Sequence, residues 1–168
     1  MKRIIVYIVL LLGIAGCIGE CYEDKLTGNY HLLAIDSMTG MRITYYPKNE
    51  GMDYSITGCG IYEVGYDEDF ILAKAYKTLT DSLGNSLFRY DTDITEYYII
   101  PIDNTQSGLE AQENCFKLLT EKEFEAKRKE LGVSDKITFT ISFKKSHERS
   151  GKPHWLKFLL KLYHDYKD

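Results

Sequence analysis

Four cysteines (Cys17, Cys21, Cys59, Cys115) and four histidines (His31, His147, His154, His164) are the residues best suited to nucleophilic, acid–base or metal chemistry. Zinc sites draw on close pairs such as CxxC, or on cysteines joined to histidines at defined spacing. Cys21, Cys59 and Cys115 stand 38 and 56 residues apart, so no metal site is expected. No HExxH, GxSxG, phosphate-loop or dinucleotide pattern occurs. Ser55 and the pair Ser146-His147 supply hydrolase residue types without a turn that would poise them. Asp67, Glu68 and Asp69, and separately Asp91, Asp93 and Glu96, could gather round a cation. An EF-hand needs oxygens spread over a loop of about twelve residues, with glycine at the sixth position and glutamate at the last. Neither acidic group has that frame, and turn roles explain both. No catalytic residue, metal or cofactor is assigned.

Cys17 stands apart. Lys2 and Arg3 precede an uncharged apolar run, residues 4–12, and Ile14-Ala15-Gly16-Cys17 follows. A membrane-crossing helix needs about 20 apolar residues. Counting through Ile18 gives only fifteen uncharged residues after Arg3, which suits a signal segment better. The last four residues resemble a bacterial lipobox: an aliphatic residue, two small ones, then cysteine. The resemblance implies cleavage before Cys17 and acylation of its sulfur and new amino group. Small side chains admit the protease to the backbone, and only cysteine offers a thiol for a thioether-linked lipid. Two or more chains, palmitate among them, bury many methylenes at ~0.8 kcal/mol each and hold firmly where one would not.

With residues 1–16 removed, 152 remain, enough for one self-sufficient core. The basic count falls from 21 to 19 against 25 acidic residues, so the formal charge moves from −4 to −6. Lys127-Arg128-Lys129 and Lys144-Lys145 read as solvated faces, and nucleic acid is not an expected partner. With Cys17 committed to lipid, Cys21, Cys59 and Cys115 allow at most one disulfide or remain free thiols.

Tyrosine is the unusual component, with fourteen copies in 168 residues. Adjacent tyrosines in a strand point to opposite faces, so one of each pair Tyr45-Tyr46 and Tyr97-Tyr98 is a candidate for exposure. Tyrosine offers area, a hydroxyl and low ordering cost, which suits recognition and sugar stacking. It is also simply a good sheet residue. These four are the candidate recognition surface.

The elements that must position such residues can be read from pattern. Residues 17–27 form a short acidic tether. Strands are expected at 30–35, 41–46 and 54–57, broken by Gly58-Cys59-Gly60. Residues 61–77 read as a hairpin with an acidic tip. Strands at 87–90 and 95–102 are separated by a turn at 91–93, with Pro101 at an edge or strand end. Residues 103–108 read as a polar loop. A helix over 121–131 carries the capping-box pair Thr120 and Glu123, with Gly132 as its C′ residue. Residues 136–144 alternate cleanly, with Ile137, Phe139, Ile141 and Phe143 on one face. Trp155, Leu159, Leu162 and Tyr166 predict a terminal amphipathic helix over 154–166, packed on a sheet.

Three segments, DEDFILAKAYK, TEYYIIPID and LLTEKEFEAKRKELGV, resemble a group of small uncharacterised bacterial lipoproteins, the DUF3997-like family. Residues 69–74, residues 97–103, and Phe124, Arg128, Leu131 and Gly132 carry the pattern; Pro101-Ile102 departs from it. The resemblance spans about two-thirds of the chain. It implies a signal and lipobox before one compact domain, and no catalytic residues.

The expected architecture is one α+β domain over 28–168, an antiparallel sheet of about six strands packed with two helices in the C-terminal half. The expected function is a non-enzymatic binding module of the bacterial cell envelope. The lipid on Cys17 would hold it to the membrane, with an envelope protein or glycan as partner. The alternative is a small envelope hydrolase or glycan-processing enzyme. Ligand, leaflet and surface exposure are left open.

Overall fold

A computed structural model describes residues 22–35 and 37–143, apart from the side chain of Phe88. The expected signal segment, Cys17, Cys21, the terminal helix, His147, His154 and His164 lie outside the described residues.

The class is α+β, with antiparallel strands and two helices in the C-terminal half. The strands divide between two sheets. The first joins β1 (Tyr22–Thr27), β2 (Tyr30–Ala34), β3 (Arg42–Tyr45) and β4 (Tyr54–Ser55) in chain order. The second comprises β5 (Ile61–Tyr66), β6 (Phe70–Thr80), β7 (Ser86–Pro101), β8 (Phe116–Leu118) and β9 (Ile141–Ser142), in the order β8-β7-β6-β5-β9. Helices α1 (Gly108–Glu113) and α2 (Glu121–Glu130) flank β8 in sequence.

Alternation along the strands builds two hydrophobic layers. Tyr30, Leu32 and Ala34 of β2 and Ile43 and Tyr45 of β3 point toward the second sheet. Ile71, Ala73 and Ala75 of β6 and Tyr98 and Ile100 of β7 meet them. The opposite face of the second sheet presents Leu72 and Ile99. Phe124 of α2, Val133 and Ile137 cover these, with Tyr97 and Phe116 at the margin. The order is therefore sheet, sheet, helix. Full burial of a Leu, Ile or Phe side chain stabilises by ~1.5–3 kcal/mol, so the paired faces dominate the fold's stability.

Local chemistry explains several elements. The acidic hairpin tip is an Asx turn: Asp67 Oδ1 accepts from the N–H groups of Asp69 and Phe70 at 2.9 and 2.8 Å. Helix α2 starts at the expected capping box, with Thr120 and Glu123 each accepting from the other's backbone N–H. It stops where Gly132 takes φ +69°, and the Val133 N–H reaches the Arg128 carbonyl at 2.9 Å. Pro101 closes β7 opposite Phe70, where a missing amide donor costs least.

Five expectations are corrected in detail. Residues 22–27 are not tether but β1, paired along β2. The strands at 87–90 and 95–102 are one, β7, whose pairing with β6 jumps from Thr95 to Asp91 across a bulge. The 103–108 loop runs directly into α1, which Ser107 and Glu110 cap reciprocally. The 136–144 strand shrinks to Ile141–Ser142. Its apolar residues also divide: Ile137 and Phe139 join the helix-side layer, whereas Ile141 and Phe143 pack on the inter-sheet layer. The chain crosses the sheet edge between them, over Gly65, where any Cβ would collide with the Thr138 carbonyl. The fifth correction concerns the tyrosines.

Candidate functional site

Tyr45, Tyr46, Tyr97 and Tyr98 do not form an exposed cluster. Tyr45 is fully buried in the first sheet and Tyr98 is 3% exposed in the second. Tyr45 packs on Tyr30 at 4.8 Å, and its hydroxyl donates to the Gln106 carbonyl at 3.0 Å. Gln106 Nε2 in turn donates to the Tyr30 hydroxyl at 2.7 Å. The pair thus pins the segment leading into α1. Tyr46 sets its ring edge-on to His31 at 4.8 Å, and Tyr97 lies against Phe124 at 5.1 Å. Sheet packing accounts for Tyr45 and Tyr98, while Tyr46 and Tyr97, one of each pair, are half-buried.

A convergence of buried and half-buried polar groups lies where β6, β7 and β8 meet α1 and the β4–β5 connection. A cleft of about 390 Å³ there is lined by Thr78, Thr80, Glu96, Tyr98, Gln112, Cys115 and Lys117, with Ile56 and Gly58 closing one side. Pairing of Tyr98 with Lys117 across β7 and β8 puts both on the inter-sheet side. Glu96, two residues before Tyr98, shares that side, opposite Ala75. Alanine at Ala75 leaves room for the carboxylate.

Glu96 is 9% exposed, and a carboxylate that buried needs partners. Lys117 Nζ stands 2.8 Å from Oε2, and the Tyr98 hydroxyl donates to the same oxygen at 3.3 Å. The Gly58 N–H donates to the Tyr98 hydroxyl, and burial together with the Glu96 charge holds that phenol protonated, its pKa well above the ordinary value. A Cβ on Gly58 would stand 3.3 Å from this hydroxyl, so the connection approaches closely because it carries none. Lys117 also lies over the Tyr98 ring, 6.0 Å from its centroid.

Cys115 borders the cleft, and burial pushes its thiol up to about 12, against a smaller opposing effect of Lys117. It is therefore a protonated thiol at neutral pH, not an activated nucleophile. Cys59 and Cys115 are both free, and Cys21 lies outside the described residues. His31, the histidine among the described residues, sits on β2 with Nδ1 3.2 Å from Glu23 Oε1, away from the cleft. Asp91 and Asp93 do not join Glu96: the Asp93 N–H is turned back to Asp91 Oδ1 at 3.0 Å. Among the described residues no three His, Cys, Asp or Glu side chains converge as metal ligands. Among the same residues no helix is long and apolar enough to cross a membrane.

The sequence reading missed Glu96, Lys117 and Thr80 as a group. A signal existed for Glu96, an acid inside the apolar run TEYYIIPI, where strand alternation gives it a buried face. Nothing local marked Lys117 as its partner.

The chain belongs to the family described as "Protein of unknown function (DUF3997)", whose model matches residues 27–146. No curated protein and no solved structure matches it.

Proposed function

We propose that this DUF3997 chain is a lipid-anchored protein of the bacterial cell envelope that binds a small polar ligand in the Glu96–Lys117 cleft and does not transform it. The character of the cleft carries the binding half of this reading. Its polar groups are hydrogen-bond donors and acceptors, its thiol is protonated, and among the described residues no histidine lines it. A hydrolase needs a base within hydrogen-bond reach of its nucleophile. The lipobox-like Ile14-Ala15-Gly16-Cys17 carries the anchoring half.

Each half has its own test. Intact-mass measurement of the membrane fraction should give a chain starting at an acylated Cys17, and Cys17→Ala should abolish both the added mass and membrane partitioning. An unchanged mass and distribution would end the anchoring reading. For binding, the full chain in detergent micelles is incubated with solubilised wall fragments. The expected result is retention of fragments unchanged in mass. Progressive appearance of shortened fragments would replace the binding reading with the glycan-processing one.

A further inference from the structure

We propose that the cleft takes a neutral, hydroxyl-rich ligand, a sugar of one or two rings, whose neighbouring hydroxyls bridge Glu96 and Lys117. This rests on the binding reading above and adds the ligand's class.

Of the nine described residues lining the cleft, Glu96 and Lys117 are the charged ones, and their formal charges cancel. A net-charged ligand would exchange its hydration for a site with no net attraction, which is unfavourable. A hydroxyl both donates and accepts, so it can serve the carboxylate and the ammonium without disturbing their pairing. Both internal bonds of Glu96 fall on Oε2, leaving Oε1 as an acceptor. The Lys117 side chain is 50% exposed and has three donors, one of which is directed at Glu96. Thr78 and Thr80 add two hydroxyls. Gln112 adds its amide oxygen, its Nε2 being turned away to the Ser55 carbonyl at 2.9 Å.

Spacing favours a diol over the other neutral candidate, a peptide. A carboxylate and an ammonium side by side ask for a donor and an acceptor on one edge of the ligand, which neighbouring ring hydroxyls supply. The N–H and C=O of a trans peptide unit point in opposite directions and cannot address both groups together. The volume of about 390 Å³ lies at the small end of the ~300–1,000 Å³ range of small-molecule sites, which suits one or two rings.

The test is NMR titration of the full chain in detergent micelles. The probes are N-acetylglucosamine, glucose and galactose as neutral ligands, glucosamine as cation, glucuronate as anion, and a blocked dipeptide. Neutral sugars should move the backbone signals of Gln112, Cys115 and Lys117 and the methyl signals of Thr78 and Thr80. Glu96→Gln and Lys117→Met should each weaken that binding about tenfold or more, as expected for hydrogen bonds to charged groups. Thr80→Val, at an exposed position, should weaken it less and serves if Glu96→Gln does not keep the native circular dichroism. Stronger shifts with glucosamine, glucuronate or the dipeptide than with any neutral sugar would overturn the proposal. So would undiminished sugar binding in the folded variants. If sugars move nothing while wall fragments are still retained, the ligand class is wrong and the binding reading survives. If neither binds, both fall.

Discussion

At the residue scale, burial decides what the chemically capable side chains can do. Cys115 has the residue type of a nucleophile, but its pKa rises from 9.0 to about 12 because the thiolate would lose its hydration. Alkylation by iodoacetamide at pH 8 should therefore be slow in the native chain and fast in urea. Rapid native labelling assigned to Cys115 by peptide mapping would contradict this. The same shift has a stability consequence. Above pH 9 the unfolded chain releases the Cys115 proton while the folded chain retains it, so stability falls as pH rises from 9 toward 12. Tyr30 and Tyr90, both raised from 10.0 to about 12 mainly by burial, contribute the same sign from pH 10 upward. Cys115→Ala should thus flatten the loss between pH 9 and 10 and leave the steeper loss above it, as read by urea midpoints across pH. Tyr98 is a different case: its hydroxyl joins Gly58 to Glu96. Tyr98→Phe should cost about 1–3 kcal/mol, because the buried Glu96 carboxylate loses a partner. Denaturant unfolding measures it.

At the element scale, capping and close approach are the local determinants. The Ser107–Glu110 and Thr120–Glu123 boxes start both helices by the same reciprocal bonds. Only the second was visible as a helix start, because an apolar periodicity follows it; α1 is six residues long and too short to show one. Thr120→Ala should destabilise by about 1 kcal/mol. Gly65→Ala should cost more, about 1–3 kcal/mol, because the added methyl meets the rigid Thr138 backbone, not a movable side chain. Equal denaturation midpoints for Gly65→Ala and the parent would refute the crossing of residues 138–139 over β5. That crossing also explains why clean alternation over 136–144 did not make a nine-residue strand. Alternation specifies which side chains share a face only while the backbone stays within one sheet, and here the chain changes layers.

At the scale of the whole molecule, two sheets share one buried interface and α2 closes the outer face of the second. Phe124 is the α2 side chain that does this, at 2% exposure. Phe124→Ala should cost about 3–5 kcal/mol, seen as a large drop in urea midpoint. The cleft sits at the end of the sheet interface, so its shape depends on how far the two sheets extend past one another. Glu96 and Lys117 are 21 positions apart in sequence and become neighbours only through the β7–β8 pairing.

The sequence by itself determined the α+β class, the main strands, the acidic hairpin tip, the α2 cap and the end at Gly132. Each depends on groups within a few residues: an alternating run, a side chain reaching its own backbone, a glycine that accepts positive φ. Tertiary structure decided which tyrosines are buried, how the strands divide between two sheets, and where the polar cleft lies. Those outcomes depend on which faces meet, and a period-two pattern names the faces without naming their partners. Tyr45 and Tyr98 illustrate the difference. Their strands were plain in the sequence, but only the meeting of the two sheets made one a pin for Gln106 and the other the floor of the Glu96–Lys117 site.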